Sequence, residues 1–361
     1  MTQNGSLDCT NPPVIICATA VDCAAAETAN APTGAAHTAG AKETRVTPRA
    51  EFWRYVFCPA AVGTLVLVVA LVVLWRRLGR RPETWPVLGR VFVPASLAAF
   101  GAEHLVAAHG LSQMVPTWMP AHLLVAYFVG IALLAAAASI VSTRLIRVAA
   151  PLLGTMFFIF VLSLHIPLIV AHPTDRFAWA VALRDLVFGL GAWTLAATSA
   201  PESQRMWSHR VLAGCRTVAA LVFVFFGVEH VLHPGFVPGV PLERVIGPWV
   251  PAAVLWGYGV GVILIASGAL MLINVRARAA ATWLAVALTV TVPVIYIPML
   301  FVAVGTSQGV EAVNYIFDSL LFAGSVLLLA AGMPSGSNQS APARPVGALK
   351  LRRRAGAGLG T

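Results

Sequence analysis

Residues 100–106 read Phe-Gly-Ala-Glu-His-Leu-Val, and residues 226–232 read Phe-Gly-Val-Glu-His-Val-Leu. The match extends in both directions. Arg90 and Arg216 each lie 13 residues before the Glu of their copy. Downstream, Trp118-Met119-Pro120 returns as Trp249-Val250-Pro251; Tyr127 and Gly130 follow Pro120 by 7 and 10 residues, as Tyr258 and Gly261 follow Pro251. His165-Ile166-Pro167-Leu168 is then matched by Tyr296-Ile297-Pro298-Met299, and Asp185 with Gly191 by Asp318 with Gly324. So long a run of kept spacings is an internal repeat, and a repeat sets the architecture before any helix is counted.

The residues around these motifs are apolar: 58% of the chain is hydrophobic and only 11% charged, against about half and about a quarter in soluble domains. A spanning helix needs about 20 apolar residues. Segments of that length recur at roughly 55–75, 91–109, 120–142, 148–170, 177–198, 213–232, 249–273, 280–304 and 311–332. The alternating pattern of barrel strands is missing, so the expected fold is all-α and integral to the membrane, with about nine transmembrane helices. Four fall in each copy, 90–198 and 211–332, and an even number of crossings returns the chain to its starting side. The expectation is two tandem four-helix bundles of parallel orientation, plus one extra first helix within residues 51–80.

Residues 1–50, rich in Thr, Ala, Asn and Pro, are expected to form a disordered tail, with no signal-peptide pattern. Residues 333–361 are a second such tail, ending in Lys350, Arg352, Arg353 and Arg354, which suits an anionic leaflet. With Arg76, Arg77, Arg80, Arg81, Arg90, Arg144, Arg147, Arg205, Arg210, Arg216, Arg276 and Arg278 on the same side as this tail, the positive-inside rule predicts a cytoplasmic C-terminus and an external N-terminus in the cell (plasma or inner) membrane. The net charge of +10 is thereby assigned to the lipid bilayer as partner and not to nucleic acid. Cys9, Cys17 and Cys23 lie in the first tail and form no CxxC; thiol chemistry is not expected of them.

Ionisable groups inside such helices are expensive, which makes each a candidate site. The expected helix boundaries put Glu103 about 9 Å and Asp185 about 12 Å below the outer surface, at about 1.5 Å per residue. His104 and His165 fall at a similar depth, as do Glu229, His230, Tyr296 and Asp318 in the second copy. These eight are the candidate ligand-binding and proton-handling residues, in one pocket per copy. Trp118, Pro120, Tyr127, Trp249, Pro251 and Tyr258, in or just after the Pro/Trp-rich connectors, are the candidate pocket lining. A carboxylate and an imidazole in low dielectric can pass protons to a quinone-like ring. The bland alternative is that the same groups only lock helices together, Glu103 bonding to Asp185 or to Arg184, a basic residue inside a helix. His122 and His172, which the second copy does not repeat, are read as structural or interfacial.

The order Gly-x-Glu-His, a Trp-x-Pro connector, then Tyr-x-x-Gly in the next helix resembles the DoxX-like (DoxX/DoxD) superfamily of four-helix membrane proteins, here as a tandem duplication. The resemblance covers residues 90–332 and rests on Gly101, His104, Trp118, Pro120 and Gly130, with Gly227, His230, Trp249, Pro251 and Gly261. This chain has Leu105 and Val231 where many relatives carry Phe after the His. The resemblance implies a membrane component of redox systems, since relatives include the membrane subunit of thiosulfate:quinone oxidoreductase and a partner in complexes answering thiol oxidative stress. If the protein takes part in catalysis, it does so as the membrane part of an oxidoreductase. Electrons would come from a soluble redox partner protein, because no Gly-rich dinucleotide loop or CxxC site is present and no intrinsic cofactor is expected.

Other readings remain. A b-type haem would need an axial pair such as His104 and His165, but Tyr296 occupies the matching place in the second copy. A metal held by Glu103, His104, His165 and Asp185 is disfavoured because adjacent helical residues point about 100° apart. A proton-coupled small-solute transporter, a lipid-converting enzyme and a non-catalytic membrane scaffold complete the set.

Overall fold

A backbone N–H or C=O left unpaired in hydrocarbon costs several kcal/mol, so an apolar chain closes its bonds within helices. The computed structural model describes residues 48–78, 85–236, 246–303, 306 and 308–334, and among them there are helices and no β-strands. In chain order these are α1 (Pro48–Leu78), α2 (Gly89–Val106), the short α3 (Ala108–Ser112), α4 (His122–Ser142), α5 (Ile146–Phe160), α6 (Ile166–Ala171), α7 (Arg176–Thr198), α8 (Arg205–Leu232), α9 (Ala253–Leu272), α10 (Ala277–Thr291), α11 (Ile297–Ala303) and α12 (Gly309–Ala331). Single π turns, Val161–His165 and Val292–Tyr296, join α5 to α6 and α10 to α11, so each pair makes one crossing.

Eight crossings among the described residues are long and apolar enough to span a bilayer, which makes the protein a multi-pass, all-α membrane protein. The expected ninth, α2, forms as an 18-residue helix, about 27 Å long at the usual rise, but Arg90, Glu103 and His104 dilute its apolarity. Several boundaries differ from expectation. The first helix begins at Pro48, where a proline loses nothing because the first helical N–H has no partner anyway. The helix expected at 91–109 ends at Val106: Ala107 leaves helical geometry while its N–H still bonds to the Glu103 carbonyl at 2.8 Å. The sixth expected helix starts at Arg205, before the expected 213, because a helix need not stop where its apolar stretch does. Residues 1–47 and 335–361, with Cys9, Cys17 and Cys23, lie outside the described residues.

Local backbone features recur in the two copies. Ala121 and Ala252, each following the connector proline, take left-handed φ of 55° and 53°; Thr143 and Asn274, just past α4 and α9, take 60° and 58°. All four are non-glycine residues in a region that disfavours a Cβ. Both π turns immediately precede an Ile-Pro, Ile166-Pro167 and Ile297-Pro298. Proline has no N–H to return to the preceding turn, and one wider turn absorbs the missing bond.

A glycine pair sets how closely the first two helices of each copy approach. A Cβ on Gly101 would stand 2.9 Å from the Gly130 carbonyl oxygen, and one on Gly130 would stand 3.0 Å from that of Gly101. Gly227 and Gly261 repeat the crossing at 2.7 and 3.0 Å. This close backbone approach through small residues is how helices associate in lipid, where apolar burial drives little.

The two four-helix units interlock. The first helix of each packs against the fourth helix of the other, α2 on α12 and α8 on α7, while α7 and α12 pack on each other at the centre. Every residue of α12 from Ser319 to Ala330 is buried. Phe322 of α12 meets Phe188 of α7 and Phe223 and Phe226 of α8 edge to face, with ring centroids 6.3, 5.9 and 6.0 Å away. α1 lies outside, against α2. We expect Gly101→Val to lower the stability of the detergent-solubilised chain by roughly 1–3 kcal/mol through overpacking. Gly259→Ala, where a Cβ meets nothing within 4 Å, should not lower it; thermal unfolding followed by circular dichroism makes the comparison.

Candidate functional site

Asp185 lies nine residues into the 23-residue α7, and Asp318 nine residues into the 23-residue α12. At about 1.5 Å per residue both sit about 14 Å from their helix starts, near the middle of the crossing. Because α7 and α12 pack together, these residues of different copies share one place. Arg184, beside Asp185 in sequence, joins them: its Nη1 donates to Asp318 Oδ2 at 2.5 Å and its Nε donates to Asp185 Oδ1 at 3.4 Å. The guanidinium also stands 5.7 Å from the Phe188 ring centroid, a cation–π contact one turn from the aromatic cluster.

The chain of contacts continues to His165. As the last residue of its π turn it is aimed at α7, and its Nε2 hydrogen-bonds with Asp185 Oδ2 at 3.0 Å. Where Asp185 is ionised it only accepts, and Nε2 is then the donor; where the carboxyl holds the proton, the direction reverses. The four side chains keep 12 to 17% of their surface exposed; they are packed but not sealed.

Glu103 reaches into the other copy as well, accepting from Asn314 Nδ2 at 2.9 Å. Asn314 is one helical turn before Asp318 on α12, so both face the same neighbours. Glu229 makes a different contact: Arg176, at the start of α7, donates through Nε to its Oε2 at 3.0 Å and stacks over Phe236 at 5.1 Å. The two histidines of the repeated Glu-His pair turn inward alike. His104 Nδ1 donates to the Phe100 carbonyl at 2.8 Å, and His230 Nδ1 to the Phe226 carbonyl at 2.6 Å. His104 is half-buried whereas His230 is 1% exposed. Tyr296, the counterpart of His165, is fully buried and stacked on Tyr315 with centroids 5.9 Å apart.

The eight candidates therefore do not form two equal pockets. His165, Asp185 and Asp318 join in one cluster, Glu103 is tied to the same helix as Asp318, and Glu229, His230 and Tyr296 have partners of their own. His104 and His165 are engaged with different partners, the Phe100 carbonyl and Asp185. Among the described residues no three His, Cys, Asp or Glu side chains are grouped as metal ligands. The expected lining turns away from the charges: Trp118, Pro120, Tyr127, Pro251 and Tyr258 are exposed and Trp249 is half-buried. The connector that precedes Trp249 lies partly outside the described residues. An apolar cleft of about 420 Å³ opens elsewhere, along α9 and α10, lined by Leu255, Trp256, Gly259, Val260, Ile263 and Val290.

Sequence reasoning left Arg184, Arg176 and Asn314 out of the site. Arg184 carries a signal, as a cation deep inside an apolar helix. Asn314 carries a weaker one, a polar residue one turn from Asp318 in an otherwise apolar run. Comparison of the chain with protein-family models, with curated proteins and with solved structures returned no match.

Removing one partner of a buried ionic group leaves an uncompensated charge, which typically costs about 3–5 kcal/mol. Arg184→Met is expected to destabilise the chain on that scale. Arg184→Met combined with Asp318→Leu should recover most of the loss, since it leaves His165 and Asp185 to satisfy each other. Chemical denaturation in mixed micelles reads both, and a double variant no better than the single would contradict the assignment.

Proposed function

We propose that this chain is a DoxX-like membrane subunit of a quinone-linked redox system, in which the cluster of His165, Asp185, Arg184 and Asp318 exchanges a proton with a lipophilic ligand. The observation that carries the reading is charge balance. Two carboxylates share one guanidinium, and a net charge in hydrocarbon is costly. One further proton must then reside in the cluster, on His165 or on a carboxyl. A proton so held, in groups that keep an exposed edge, is what quinone chemistry uses: reduction takes up two electrons and two protons, and the electrons come from a soluble partner protein. Glu103, beside the same helix, is the second proton-handling group, and His104, with its Nδ1 hydrogen committed to a carbonyl, presents Nε2 as an acceptor. In this reading the two DoxX-like units are residues 90–198 and 211–332. The protein lies in the plasma or inner membrane with its N-terminus outside and its C-terminus in the cytoplasm, as the positive-inside rule requires.

A second reading, proton-coupled transport of a small solute, is favoured by one feature. The cluster sits near the middle of the crossing, where the two copies meet, which is where duplicated carriers place coupling sites.

Organic extraction and chromatography of the purified chain separate the two. Stoichiometric quinone in the wild type, lost in a folded Asp185→Asn variant, is the expected result. No quinone in either, together with proton-coupled solute uptake in proteoliposomes, would replace the first reading by the second.

A further inference from the structure

The two copies differ at their arginine-bearing ends. In the second, Arg216 of α8 donates through Nη1 to Asn274 Oδ1, the left-handed residue that closes α9. The repeat places Arg90 opposite Arg216 and Thr143 opposite Asn274, so Arg90 would be expected to bond Thr143. It does not. Arg77, at the end of the extra helix α1, occupies that place: its Nη1 donates to Thr143 Oγ1 at 2.9 Å and its Nη2 to the Ser142 carbonyl at 3.3 Å. Arg90 is half-buried in the first turn of α2, the helix that packs against α1, feels the charge of Arg77, and has no hydrogen bond or ion pair among the described residues.

Two guanidiniums at the same end of packed neighbouring helices, with no carboxylate bonded to either among the described residues, repel unless an anion lies between them. Arg77 is in the last turn of a crossing and Arg90 in the first turn of the next helix, so the pair sits where apolar chain gives way to polar, at the level of lipid headgroups. Basic pockets between transmembrane helices are built to take such headgroups, and a guanidinium forks onto phosphate oxygens better than an ammonium does. We propose that Arg77 and Arg90 form a binding site for the phosphodiester of one anionic phospholipid, present in the first copy only because α1 displaces Arg90 from Thr143. The site does not depend on the redox reading.

The test uses the full chain, purified in detergent with phosphatidylglycerol or phosphatidylcholine and examined by native mass spectrometry. The wild type should retain one phosphatidylglycerol in preference to phosphatidylcholine. Arg90→Gln and Arg77→Gln should each weaken retention about fivefold, the contribution of one basic group near an anionic headgroup. Arg210→Gln, which removes an exposed arginine with the same change of charge, should change it less than twofold. Equal loss in Arg210→Gln, or none in Arg90→Gln when the variant elutes and unfolds as the wild type does, would overturn the site. Complete displacement of the lipid by millimolar inorganic phosphate would show it to be a site for free anions. Glu83 lies outside the described residues; a gain in retained lipid in Glu83→Gln would show the guanidiniums to be neutralised within the chain, which would also overturn it.

Discussion

The Arg184 guanidinium, shared between Asp185 and Asp318 in the middle of a lipid-spanning bundle, is the contact on which the rest of the arrangement turns. A cation at that depth is tolerated only where carboxylates meet it, and the carboxylates come from different copies. The requirement therefore holds α7 against α12 at one register. The Phe322 cluster packs one turn further along the same two helices, and α2 and α8 close over the outer sides. Such a contact contributes less to net stability than to choosing one arrangement among the many that apolar helices could adopt in lipid.

Duplication gives a symmetric chain, and the structure breaks the symmetry at points that matter chemically. Where the first copy presents His165, the second presents a fully buried Tyr296; where the second would present a cation beside Asp318, it has Phe317, and Arg184 serves both. The outcome, among the described residues, is one ionic cluster shared by the two copies. The extra helix adds a further asymmetry by taking the cap position that Arg90 would otherwise occupy.

Much of the architecture was legible before any coordinates. Apolar runs of membrane length gave the helices, because in lipid no other backbone arrangement satisfies every N–H and C=O. Pro167 and Pro298, each inside an apolar run, mark interrupted helices. What was not legible was which helices would meet. Hydropathy is nearly uniform around these segments, so it does not say which face of α2 turns toward α12; two self-contained bundles and two interlocked ones share the same pattern. That is why Glu103 was assigned to its own copy and proves to bond Asn314 of the other. Trp118, Tyr127 and Tyr258 are exposed, and because a bilayer accepts an exposed aromatic, composition alone does not place such residues in a pocket.

The central claim is that the shared cluster is neutral overall: it holds one titratable proton beyond those of Arg184 and of a neutral imidazole, as an imidazolium at His165 or as a carboxylic acid. Solid-state magnetic resonance on the chain in lipid bilayers, with isotope-labelled aspartate and histidine, reads the protonation of Asp185, Asp318 and His165 directly. The account predicts one protonated group among the three at neutral pH, and none when Asp318 is replaced by Asn. Two ionised aspartates beside a neutral His165 in the wild-type chain would contradict it.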